Sequence, residues 1–276
     1  MPDASPGSSV AADARKHAKR GRRGTSRRWV AGTACLLLVL AACGDDDESA
    51  SGDENTAAAC DAFVAIDEAT FVEDFEGIIA AIEDFVATAP DDVAAAVEPL
   101  LPLLRSDPDA VDESEELAAA EGASDEWAWD NCADPQIEVE ALNFAFSGMP
   151  SEIDAGRVGF RLVNATQTDE FHEALVLRKG DDVAGSPSAA LISALGDEVS
   201  VDNTFGAFAE FTLVGGGLVD PEGDDIFVVD LEPGEYVLAC LLPVGSAELL
   251  EAYFSGEHVE GEYHIHQGMF AEFTVS

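Results

Sequence analysis

Apolar and polar residues alternate with two different periods along this chain, and the period changes near residue 135. Between residues 57 and 133 the apolar positions fall three and four apart. Phe71, Phe75, Ile78, Ile79, Ile82 and Phe85 form one stripe, as in a helix that buries a single face. Ala89-Pro90-Asp91-Asp92 stops one helix and caps the next, Ser106-Asp107-Pro108 is a second break, and residues 109–121 read as a short acidic helix. Three or four antiparallel helices are expected, a small helical bundle, with Trp127 and Trp129 covering the junction with the second domain.

From residue 136 the period drops to two. Strands are expected in QIEVEALNFAF, in 156–165, 171–178, 208–216, 225–231 and 234–240, and in FAEFTV at 270–275. Gly or Pro stands between most of them, and Glu232-Pro233-Gly234 is a strong turn signal. Seven or so short strands with regular turns predict an antiparallel β-sandwich over 137–276. A short helix is expected at 188–195 and an amphipathic stretch at 246–254. Alternation in GEYVLAC puts Tyr236, Leu238 and Cys240 on one face.

Charge changes the picture next. The net charge is −43 over 276 residues, and eight of the 13 Lys+Arg lie in residues 1–42. So acidic a remainder repels nucleic acid and anionic lipid headgroups. Solubility or adaptation to high salt accounts for it, and a docking surface for a basic partner is the sharper alternative. The helical part shows no metal-ligand or nucleophile constellation. The whole chain lacks a Gly-rich phosphate loop, a His-Glu-x-x-His zinc helix and a Gly-x-Ser-x-Gly elbow, so a binding or carrier protein is expected rather than an enzyme.

The N-terminus reads as an address. Residues 15–28 are basic, and residues 29–42 are an apolar run too short to span a bilayer as a helix. Leu40-Ala41-Ala42-Cys43 resembles the bacterial lipobox. That resemblance implies a signal peptide over 1–42, lipid on the sulfur of Cys43, and anchoring to the outer face of a bacterial cell membrane. Residues 43–56 are acidic and small, and an extended tether is expected there.

Of five cysteines, Cys35 leaves with such a leader and Cys43 carries lipid, so Cys60, Cys132 and Cys240 remain in an oxidising compartment. Cys60 and Cys132 bracket the helical segment and are expected to pair. Cys240 is left either as a metal ligand or as a buried, inert thiol that packs as a small hydrophobe.

The stretch from Cys240 to Met269 weighs toward the first. It carries His264, His266 and Met269, while NATQTDEFHEALVLR supplies His172 at the start of a strand. A soft thiolate, imidazoles and a thioether suit copper. The spacing His264-x4-Met269, with one histidine far upstream, resembles the cupredoxin (plastocyanin-like) family over residues 137–276. The resemblance implies a Greek-key sandwich holding one copper ion through His172, Cys240 and His264, with Met269 as axial ligand, and electron transfer or copper handling with a redox protein partner. His266 would share a strand face with His264 and stays open as a substitute. Two departures stand out. Twenty-three residues separate Cys240 from His264, a long loop expected to hold the site less rigidly, and Glu173 follows His172 where asparagine is often found. A metal-free envelope binding or assembly module is the alternative. A zinc or copper-storage site is a third reading.

Overall fold

The computed structural model describes residues 47–71, 74–106, 114–196, 200, 204, 206–256, 259 and 261–276. The expected leader, its lipobox with Cys43, Cys35 and His258 lie outside the described residues. Five helices open the described chain: α1 (Asp47–Phe71), α2 (Phe75–Thr88), α3 (Asp91–Val97), α4 (Leu100–Ser106) and α5 (Glu115–Cys132). Residues 47–56, expected as tether, are the first turns of α1. An acidic segment suits a helix N-terminus, and the alanines at 57–59 carry the helix onward. The acidic helix expected over 109–121 begins at Glu115 instead and runs on to Cys132, capped by Ser114 Oγ, which accepts from Leu117 N.

The helical core contains Phe63, Ile78, Ile82, Phe85, Val97 and Leu104. Phe75 belongs to the expected stripe but is 46% exposed. It opens α2 and lines an open cleft with Leu218 and Phe254. The disulfide forms between Cys60 of α1 and Cys132 of α5. Trp127 packs edge-on against Phe85 in the helical core, whereas Trp129 faces the sheet, with Arg161 over its ring.

Nine strands follow among the described residues: β1 (Gln136–Leu142), β2 (Ala145–Ser147), β3 (Glu152–Ile153), β4 (Gly156–Asn164), β5 (His172–Lys179), β6 (Phe211–Val219), β7 (Asp224–Leu231), β8 (Gly234–Ala239) and β9 (Phe270–Val275). They form two sheets, ordered β2-β1-β4-β7 and β3-β9-β8-β5-β6. Most pairings are antiparallel, but β1 with β4 and β3 with β9 are parallel, which corrects the wholly antiparallel expectation. The chain leaves β1 through β2, crosses to the other sheet at β3, and re-enters beside β1 in the same direction. Among the described residues, α6 (Pro187–Leu195) forms where a short helix is expected, and α7 (Ser246–Phe254) forms over the amphipathic stretch.

Both sheets bury side chains in one core, with Val139, Phe160, Leu162 and Phe227 from one and Leu177, Tyr236, Leu238 and Phe273 from the other. The period of two in β7 explains the join to the helices. Phe227, Val229 and Leu231 enter the core between the sheets, while Val228 points the other way into the helical core. Close approach at this join needs Gly159 in β4, because a Cβ there would lie 2.4 Å from the Ala133 Cβ. Among the described helices none is long and apolar enough to cross a membrane.

Candidate metal centre

Three chain segments meet at one end of the sandwich. His172 is the first residue of β5, Cys240 is the residue after β8, and His264 opens a 3-10 turn, His264–Gln267, that leads into β9. Strand β5 pairs with β8, and β8 with β9, so three residues distant in sequence stand at adjacent strand ends. Backbone hydrogen bonds fix the arrangement. Cys240 N donates to Met269 O, Ile265 N to Cys240 O, His264 N to Leu242 O, and Met269 N back to His264 O.

His172, Cys240, His264 and Met269 are each 0% exposed. One ligand atom from each of His172, Cys240 and His264 lies within 4.8 Å of the other two, a group able to hold a metal ion. Cys240 Sγ is 3.2 Å from His264 Nδ1, and the two imidazole centroids are 5.0 Å apart. Glu173 N also points at the sulfur, 3.4 Å away. Both ring nitrogens of His172 are buried with no hydrogen-bond partner among the described residues. Met269 joins the group through its backbone, beside both Cys240 and His264.

His266 stands apart. Residues 264–267 wind as a 3-10 helix rather than extending as a strand. Positions two apart in such a helix point in different directions, so the His266 ring packs on Tyr263 instead.

Burial sets the electrostatics. It pushes His172 down to about 4, helped by the neighbouring His264. It pushes His264 down to about 4 as well, against the pull of Glu170. Both imidazoles are therefore neutral near pH 7. Burial, reinforced by Glu173, holds the Cys240 thiol well above its ordinary value. Glu173 is itself raised to about 7 by burial, although its carboxylate accepts from Leu241 N at 2.7 Å. That bond ties the residue after His172 to the residue after Cys240.

The described residues of the long insert between Cys240 and His264 are paired and packed. Its stem is zipped by a Pro243–Tyr263 bridge and by Val244 N donating to Glu262 O. Tyr253 of α7 is buried, bonded to Thr204 Oγ1 at 2.7 Å. No sequence signal marks Glu170, which packs against His264, or Ser246, which binds Glu170. In a chain with 56 Asp+Glu, one carboxylate cannot be singled out without geometry.

No known family model matches this sequence, and no curated protein matches it. Fourteen chains of solved structures match, and among them are cupredoxins that resemble the C-terminal half of this chain. A dithionite-reduced auracyanin from the photosynthetic bacterium Roseiflexus castenholzii is 20% identical, with a TM-score of 0.31, over 52% of this chain and 98% of its own. Auracyanin B is 18% identical, with a TM-score of 0.32, over 51% and 88%. A methionine-to-glutamine mutant of rusticyanin is 16% identical, with a TM-score of 0.27, over 52% and 80%.

Proposed function

We propose that this chain is a copper-binding electron carrier, exported and held at the cell surface by lipid on Cys43. The observation that carries the metal reading is His172. A fully buried imidazole with both nitrogens unpartnered costs roughly 1–3 kcal/mol per orphaned group, and its ring faces a thiol sulfur and another imidazole. A metal ion among them would give one of those nitrogens a partner, so the donor set fits the group. His172, Cys240 and His264 would hold the ion, with Met269 as a further, weaker donor; two imidazoles, a thiolate and a thioether suit copper.

A bound copper ion would supply a one-electron couple. The chain's residues do the rest. Strand ends and the hydrogen-bonded turn fix three donors before any metal arrives, and the closed core keeps water from them. The imidazoles are already neutral near pH 7 and present free lone pairs, so only the thiol gives up a proton. Glu173 N–H, aimed at the sulfur, stabilises the thiolate. A redox partner would need a basic or apolar face, given the acidic surface.

The leader supports export, and so does the Cys60–Cys132 disulfide, since such bonds persist in oxidising compartments. The clustering of the three donors speaks against the metal-free module.

The test is titration of the purified mature chain with Cu(II). One equivalent is expected to bind with an intense visible thiolate-to-copper band that vanishes in Cys240→Ser. Absence of stoichiometric binding defeats the proposal. Tight zinc binding with no copper band would favour a storage or structural site.

A further inference from the structure

We infer that Glu170 is a positioning residue for the metal centre, fixing the tautomer of His264 and locking the insert against it; this rests on the copper reading above. The neutral His264 ring carries one proton, on either nitrogen. Its Nδ1 faces Cys240 Sγ at 3.2 Å and must keep its lone pair free to bind a metal. Its Nε2 faces Glu170 Oε2 at 3.6 Å and has no hydrogen-bond partner among the described residues. That separation is too long for a hydrogen bond, so the influence is electrostatic. In a ring fully shielded from water, a carboxylate at that distance favours the proton on Nε2 and leaves Nδ1 open toward the sulfur. Carboxylates placed behind histidine ligands commonly orient them this way.

The carboxylate itself is held in place. Glu170 Oε1 accepts from Gly245 N at 3.0 Å. Oε2 accepts from Ser246 N at 2.8 Å and from Ser246 Oγ at 2.5 Å. These donors sit at the N-terminus of α7, where a negative charge is favoured. Ser246 Oγ in turn accepts from Phe171 N at 2.8 Å, and Asn164 Nδ2 donates to the Glu170 carbonyl at 2.9 Å. One knot therefore joins the approach to His172, the first turn of the insert helix and the outer edge of His264. The 23-residue separation between Cys240 and His264 gains a purpose: the insert delivers the donors that hold this carboxylate.

The experiment uses 15N-labelled mature chain and long-range proton–nitrogen correlation of the imidazoles. In the metal-free wild type, His264 is expected as the Nε2–H tautomer. In Glu170→Gln the population is expected to shift toward Nδ1–H, and in the copper-loaded form the reduction potential to move upward, because an anion near the ion is gone. An Nδ1–H tautomer in the wild type overturns the inference without any variant. So do unchanged tautomer and potential in a folded Glu170→Gln. If that variant does not fold, Glu170→Asp, which keeps the charge but withdraws it, is expected to give the same direction of shift. Failure of the wild type to bind copper would remove only the potential measurement and would count against the copper proposal, while the tautomer still decides the role of Glu170.

Discussion

Asp125 offers a sharp test of how the helices and the sheet are joined. Its carboxyl on α5 shares the cleft between helices and sheet with Asp67 of α1 and Asp225 of β7. Burial, then repulsion from Asp225 and Asp67, raises Asp125 to about 8 from an ordinary 3.8. Asp67 is also pushed well up, chiefly by burial, and its Oδ2 has no hydrogen-bond partner among the described residues. A folded-state pKa above the unfolded one means the folded chain binds the proton more tightly. The contribution of Asp125 to stability is therefore greatest below about pH 4 and is lost as pH rises toward 8. A single proton sets a slope of at most about 1.4 kcal/mol per pH unit. Solvent entering the cleft screens part of it, which leaves about 2 kcal/mol lost between pH 5 and 8. Asp125→Asn removes the charge, so it is expected to stabilise by about that amount at pH 8 and by almost nothing at pH 4.5. Urea unfolding followed by tryptophan fluorescence at several pH values measures it, with Asp130→Asn on the exposed face of the same helix as control. Parallel pH profiles for wild type and Asp125→Asn would refute the argument.

Two further outcomes are expected. Replacing Cys60 and Cys132 together by serine releases a loop spanning a separation of 72 residues, and urea midpoints are expected to show a loss of up to roughly 4 kcal/mol; no change would mean the bond does not form. Gly159→Val drives a side chain into Ala133 and toward the Trp129 ring, and a cost of about 1–3 kcal/mol is expected in the same assay, with an unaltered midpoint counting against the close approach of α5 to β4.

Much of the candidate site is legible in the sequence. His172, Cys240 and His264 were picked out by donor chemistry and by their order along the chain, and the fold brings those three together. His266 was the error of local reasoning. Its parity with His264 holds only in an extended strand, and the turn before β9 is helical. The length of the insert also misled, because a count of residues cannot show that both ends of a loop are paired to each other. Glu170 and Ser246 were invisible for a different reason, since a serine and one acid among many carry no pattern until a distance joins them.

Local periodicity determined most element types of this protein by itself: helices to residue 132, strands from 136, and a helix within one residue of 188–195. Periodicity records which face of a segment avoids water, and that preference is a property of a few neighbouring residues. Tertiary structure alone decided that β1 and β4 run parallel, that Val228 completes the helical core from the sheet side, and that a carboxylate held by the insert helix faces a buried imidazole. Those depend on contacts between residues tens of positions apart, whose energies exist only once the chain has closed on itself.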